Sequence, residues 1–320
     1  MDEVITGDVL LTGGTGSLGQ AILSRAKVER WPCRFTIYSR DEAKQRKVEA
    51  IYPEHRYVLG DVRQVDNLRI AMRGKDLVIH AAAYKQVPAA EVNSWEAIET
   101  NTWGSRNIAL TAFDLDIPRV VGISTDKACA PINCYGMTKA LMEKGFAQAS
   151  AWGRTKFVCV RYGNVLGSTG SVVPFFKRQQ AEQGYITVTN PDMTRFWLSL
   201  EEAVDLVVMG TTEETGGTVI APVARASTMA VLAEAVCPGV EQRDIGIRAG
   251  EKMHESLVHS NESLHTDLVG IGKRRRFRIL PAYTLYRGGL PVGFEYTSDG
   301  AEQYTAAELR AKLVANGDLE

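Results

Sequence analysis

The turn Thr12-Gly13-Gly14-Thr15-Gly16-Ser17-Leu18-Gly19 follows the short apolar run Val9-Leu10-Leu11 and opens a helical pattern from about Ser17 to Glu29. Gly13, Gly16 and Gly19 allow a tight reversal and a close approach of backbone to a pyrophosphate, while the helix start offers free N–H groups and a positive dipole end. A glycine pattern alone is weak evidence, but here it sits between a strand and a helix, the context that dinucleotide binding requires. Gly13, Thr15, Gly16, Ser17, Leu18 and Gly19 are therefore the first candidate cofactor contacts.

Such a unit commits the chain to a parallel sheet, and the first half keeps that rhythm. Further strands are predicted at Arg34–Tyr38, Tyr57–Leu59, Asp76–His80, Arg119–Ile123 and Phe157–Arg161, with the clearest helices at Trp95–Phe113 and Tyr135–Ala151. Short, nearly continuous apolar strands alternating with helices indicate an α/β fold, a Rossmann-like doubly wound parallel sheet. After Arg161 the pattern loosens. Helices are predicted at Leu200–Thr211, Ser227–Val236 and Ala306–Val314, and from Arg248 the chain reads as polar and basic. The expected organisation is a dinucleotide-binding domain over 1–165, with parts of 185–225 returning to it, and a smaller substrate-binding lobe formed mainly by 166–320.

The 320 residues carry a net charge of −1, which gives no global drive toward nucleic acid or an anionic membrane. Five cysteines without a C-x-x-C pair read as reduced thiols, and no metal site is expected. No apolar run reaches membrane-spanning length, and the acidic start Met1-Asp2-Glu3 does not read as a signal peptide, so a cytoplasmic protein is expected.

The end of the second predicted strand bears on cofactor choice. A binder of NAD usually has an acid there for the ribose hydroxyls. This chain has Ser39-Arg40, with Lys44 one turn into the next helix. A hydroxyl and a guanidinium suit a 2′-phosphate, which favours NADP over NAD. Asp41 could turn toward the ribose, but it more simply caps the helix it precedes. Asp61 and Val62 fall beside the adenine, and Ala81 and Ala82 leave room for the cofactor to pass.

Two short pieces carry the chemistry, Ser124-Thr125-Asp126-Lys127 and Tyr135-Gly136-Met137-Thr138-Lys139. Tyr135 and Lys139 lie one helical turn apart on one face, where a cation would favour the phenolate and let the tyrosine act as a base. Thr125 can hydrogen-bond the reacting oxygen. Asp126 and Lys127 add an acid and a second base, so oxidation would be only a first step. As a base Lys127 must be neutral, which requires its pKa to fall from about 10.4 to near 7. Burial would raise Asp126 as an acid requires, whereas opposite charges in contact oppose both changes.

Together, Thr12–Gly19, Tyr38–Glu42, Gly60–Arg63, His80–Ala83, Ser124–Lys127 and Tyr135–Lys139 resemble an extended short-chain dehydrogenase/reductase. More narrowly, Arg161–Val165, Gly170–Phe176, Met193–Trp197 and Arg248–Glu255 resemble the UDP-N-acetylglucosamine 4,6-dehydratases, in particular the C5-inverting type that opens pseudaminic acid synthesis. The resemblance runs from about Asp8 to the last helix. It implies that Tyr135 takes the sugar 4-hydroxyl proton with Lys139 in support, that Lys127 removes the C5 proton, and that Asp126 protonates the departing 6-hydroxyl. It further implies a UDP-N-acetylhexosamine substrate met by Lys85, Asn164, Arg195, Arg248 and Glu251, a recycling NADP and a homo-oligomer. The chain departs from the family at Gln86, where a histidine is usual, and at Tyr304, where a tryptophan is common. The competing readings are a UDP-sugar 4-epimerase or reductase, which needs no Asp126-Lys127, and a non-catalytic NADP sensor, which needs no Thr125, Tyr135 and Lys139.

Overall fold

Six apolar segments form the parallel strands predicted from sequence, each within a residue or two of its expected bounds. They are β1 (Gly7–Thr12), β2 (Cys33–Ser39), β3 (Arg56–Leu59), β4 (Leu77–His80), β5 (Arg119–Ile123) and β6 (Lys156–Val160). The structure, a computed structural model, describes residues 4–168, 170–284 and 289–319. The spatial order is β3-β2-β1-β4-β5-β6, continued by Thr218–Pro222 parallel to β6. The chain thus winds outward from β1 in one direction and then restarts on β1's other side at β4. That reversal is the switch point where doubly wound sheets open a crevice at their strand ends. Gly13 leaves β1, and Ala81 and Ala82 leave β4, at this point.

Two departures from the sequence reading concern the second half. The basic stretch after Arg248 supplies two antiparallel strands, Thr266–Val269 and Arg276–Ile279, which extend the main sheet beyond Thr218–Pro222. Phe277 and Ile279 are buried while Arg276 and Arg278 are only half-buried, so alternation with arginine hides a strand that bulk composition misses. The helix expected at Ser227–Val236 begins at Met229, because Ala226–Thr228 pairs with Thr194–Leu198 and the Thr228 hydroxyl caps the helix at the Val231 amide.

The helix expected at Trp95–Phe113 is present, but its middle, Ile98–Trp103, is a π-turn between Ser94–Ala97 and Gly104–Asp114. Helix α1 (Ser17–Val28) and α2 (Glu42–Ile51) follow β1 and β2. The Asp41 side chain caps α2 by accepting from the Lys44 amide, the simpler of its two expected roles. A second apolar cluster lies apart from the sheet core and gathers Leu166, Phe176, Ile186, Trp197, Leu232 and Leu313. No helix among the described residues is long and apolar enough to cross a membrane.

His80, at the end of β4, is fully buried between the Thr12 and Ser105 hydroxyls, at 2.9 and 3.1 Å. Burial, with a smaller contribution from Lys139, pushes its pKa from 6.5 down to about 3. Below pH 6.5 the unfolded chain binds a proton that folded His80 refuses until about pH 3, so this group's stabilisation is lost as pH falls through that window. Denaturant titrations should show up to about 1.4 kcal/mol lost per pH unit from this site, a slope that His80→Gln should flatten.

Candidate active site

A cleft of about 1050 Å³ opens at the switch point. Its walls include Gly13, Thr15, Gly16, Ser17, Leu18, Gly19, Ser39, Arg40, Lys44, Asp61, Val62, Ala81 and Ala82, so every expected cofactor contact lies on one surface. The turn at the head of this cleft is closely packed and open only to glycine. Gly13 has φ of +68°, and a Cβ there would stand 2.8 Å from the Ala82 amide nitrogen. A Cβ on Gly19 would stand 2.4 Å from the Gly14 Cα. Gly16, at the start of α1, provides no side-chain cap, so the first amides of the helix have no side-chain acceptor from that position.

The Arg40 guanidinium lies 3.7 Å from both Asp61 and Glu96. Arg63 holds Asp61 at 2.6 Å and Glu96 at 2.7 Å. Burial works to raise Asp61, but Arg63 and Arg40 keep its carboxyl below the usual range. Lys44 is exposed and lies 3.6 Å from Asp41.

The reactive strip is built where β5 ends. Thr125 accepts from the Lys127 amide and starts the short turn Asp126–Ala128, while the Asp126 amide donates to the Tyr162 carbonyl at 2.9 Å. Tyr135 and Lys139 project from the helix Cys134–Ser150, whose start is capped by Asn133. Gly136 lets this helix approach the strip, since a Cβ there would lie 2.1 Å from the Lys127 carbonyl oxygen. Thr125, Lys127, Tyr135 and Lys139 all line the cleft. Asp126 is fully buried beneath them; its Oδ1 accepts from Thr125 at 2.9 Å and from Lys127 at 3.0 Å, and its Oδ2 has no hydrogen-bond partner.

Electrostatics at this strip set burial against neighbouring charge. Burial alone would lower Lys127, but Asp126 and Glu255 outweigh it and hold the ammonium above the ordinary lysine range, the direction that opposite charges in contact impose. Lys139 is buried and donates to the Ile123 carbonyl at 2.6 Å, and burial lowers it to about 8. Burial pushes the Tyr135 phenol up to about 12, against the pull of the Lys127 charge and the Thr125 hydrogen bond. Burial raises the Asp126 carboxyl against the pull of Lys127.

Among the expected substrate contacts, Lys85, Asn164, Arg248 and Glu251 line the cleft. Asn164 Oδ1 is buried and makes no hydrogen bond. Desolvation lowers Lys85, and Arg248 lies 3.7 Å from Glu251. Arg195 does not line the cleft. It is buried behind the strip, donating to the Thr194 and Met253 carbonyls at 2.7 and 3.3 Å.

Sequence reasoning passed over three residues that the structure brings to this site. Glu255 lies 3.2 Å from Lys127, and nothing local in the sequence links positions so far apart. Asn101 sits in the π-turn, where its amide bonds both backbone groups of Tyr84 and the Thr138 hydroxyl. The polar triplet Thr100-Asn101-Thr102 in mid-helix was the available signal. Tyr162 lines the cleft from the end of β6.

A sequence profile for polysaccharide biosynthesis proteins matches residues 9–271. A Campylobacter jejuni protein named UDP-N-acetylglucosamine 4,6-dehydratase (inverting) is 42% identical over 262 residues, covering 80% of this chain and 78% of that protein. A Rickettsia felis protein named UDP-glucose 4-epimerase is 41% identical over 274 residues, covering 82% and 80%. The X-ray structure of Pen from Bacillus thuringiensis matches over 100% of both chains, with a TM-score of 0.90 and 31% identity.

Gly13→Ala places a methyl group against backbone that no rotamer change relieves. It should destabilise the protein by more than about 1 kcal/mol and weaken retention of a dinucleotide, read by thermal melting and by the nucleotide content of the purified protein.

Proposed function

This chain belongs to the polysaccharide biosynthesis protein family, and we propose that it is a UDP-N-acetylglucosamine 4,6-dehydratase that inverts C5. The observation that carries this reading over a 4-epimerase is the buried Asp126–Lys127 pair beside Thr125 and Tyr135. Epimerisation at C4 needs only proton and hydride exchange at that carbon, whereas loss of water across C5 and C6 needs a further acid and base.

Tyr135 takes the 4-hydroxyl proton, with Thr125 hydrogen-bonded to the same oxygen; the Thr125 bond and the Lys127 charge both work toward the phenolate. A nicotinamide dinucleotide held at the glycine turn would accept hydride from C4 and return it to C6. The 4-ketone acidifies C5–H. Lys127 then removes the C5 proton, and Asp126 gives its own to the 6-hydroxyl, which leaves as water. After hydride has been returned to C6, a solvent-exchangeable proton is delivered to C5 on the opposite face, which completes the 4-keto-6-deoxy product and inverts C5. Lys127 can act as a base only after the Asp126–Lys127 pair has released a proton to solvent. Asn164, Lys85, Arg248 and Glu251 are proposed to hold the UDP-sugar, and their place on the cleft wall supports this. The buried, unpaired Asn164 Oδ1 favours a donor from the sugar. Arg195 is proposed to act from behind, as a charge near Lys127 and Glu255.

NADP is the proposed cofactor. Arg40, Lys44 and Lys47 are the cations lining that end of the cleft, and a 2′-phosphate would offer Arg40 a stronger partner than carboxylates at 3.7 Å. Arg40→Ala should weaken binding of NADP about tenfold while changing that of NAD far less, measured by calorimetry.

Purified protein incubated with UDP-N-acetylglucosamine in deuterated water should give a product lighter by one water, with a new 6-methyl signal and deuterium at C5, by mass spectrometry and NMR. An unchanged mass with an inverted C4 would establish the epimerase instead. Asp126→Asn should slow dehydration by about 10²-fold or more while leaving C4 oxidation measurable.

A further inference from the structure

Glu255 has no part in the chemistry above, yet it is 2% exposed and its carboxylate meets Lys127, Arg195 and Lys252 at 3.2, 4.0 and 3.9 Å. Its backbone is fixed at both ends by one residue: its amide donates to the Ser298 Oγ at 2.9 Å, and its carbonyl accepts from the Ser298 amide at 2.8 Å. Ser298 is in turn bonded to the Thr194 hydroxyl at 2.6 Å. The backbone of Glu255 is thereby anchored where its carboxylate reaches Lys127. It provides the negative charge on one side of the ammonium, while Asp126 flanks it at 3.0 Å.

We propose that Glu255 is a positioning residue for the dehydration step, holding the Lys127 ammonium in one orientation on the cleft wall and deciding at what pH the Asp126–Lys127 pair yields a base. This rests on the dehydratase reading given above. The charged and titratable groups around the pair are Asp126 from the strip, Tyr135 from the helix Cys134–Ser150, Arg195 from the strand Thr194–Leu198, and Lys252 and His254 from Glu255's own loop. Of these, Asp126 and Glu255 are the carboxylates in direct contact with Lys127, and Glu255 lies outside the cleft lining. Its effect on the reaction therefore passes through Lys127. The step it governs is one proton leaving the Asp126–Lys127 pair before C5–H is attacked. With Glu255 ionised the two-proton form is favoured, and removing that charge makes the proton easier to lose.

The test compares wild type with Glu255→Gln, measuring kcat for dehydration against pH with unlabelled and 5-deuterated UDP-N-acetylglucosamine. The isotope effect identifies the limb that belongs to C5 proton removal. In the variant that limb should move to lower pH by about 1–3 units, with a reduced plateau from the less ordered lysine. A folded variant with the limb unmoved would overturn the proposal and make Glu255 a structural counter-ion only. If Glu255→Gln does not fold, Glu255→Asp withdraws the charge by one methylene and should move the limb the same way by a smaller amount; an unmoved limb there overturns it equally. Wild-type protein that releases no dehydrated sugar would instead overturn the dehydratase reading, and the role of Glu255 with it.

Discussion

One buried guanidinium ties the reactive parts of this protein together. Arg161, at the end of β6, is 2% exposed. It donates to Glu143 at 2.7 and 3.0 Å and to Glu262 twice at 2.8 Å, and its fifth bond goes to the Leu257 carbonyl at 2.9 Å. Glu143 lies one turn beyond Lys139 on the same helix and also accepts from Ser124 at 2.6 Å. Glu262 belongs to the C-terminal half and caps the turn at His259, and Arg161 holds its carboxyl down to about 2 against burial. One side chain thus fixes the strip, the helix bearing Tyr135 and the returning C-terminal segment. Removing one member of such a network leaves an unpaired buried charge, at a cost of about 3–5 kcal/mol.

The same logic, charge balanced by charge out of water, shapes the site itself. Asp126, Lys127 and Glu255 are each largely hidden from solvent and are compatible with burial only as a set. Burial pushes the Asp126 carboxyl up while Lys127 pulls it down, and the Asp126 and Glu255 charges hold Lys127 up against burial. The protons of this strip therefore belong to the group as a whole rather than to one residue.

Much of this was legible in the sequence because it is local. The glycine turn, the six strands and the Tyr135–Lys139 spacing depend on neighbours within a few residues, and the structure places them as expected. The misses are contacts between distant segments. Nothing near Lys127 announces Glu255, and without it the lysine reads as a candidate neutral base. Arg195 was expected at the sugar nucleotide only through the family resemblance, and its bonds to the carbonyls of Thr194 and Met253 depend on the chain returning at Met253. The strand Arg276–Ile279 escaped notice because its arginines dominate the composition while Phe277 and Ile279 supply the burial.

That late strand pair has a consequence for modularity. After β6 the chain leaves the sheet at Asn164, returns at Thr218–Pro222, leaves again at Ala226, returns at Thr266–Ile279, and ends with Ala306–Ala315 packed in the second apolar cluster. The second apolar cluster is not an appendage that could be excised or swapped at one junction. A cut anywhere between 223 and 265 would strip the outer strands from the sheet together with part of that cluster. Relatives of nearly equal identity carry the names of two different reactions, so a shared scaffold and a change of reaction are compatible here.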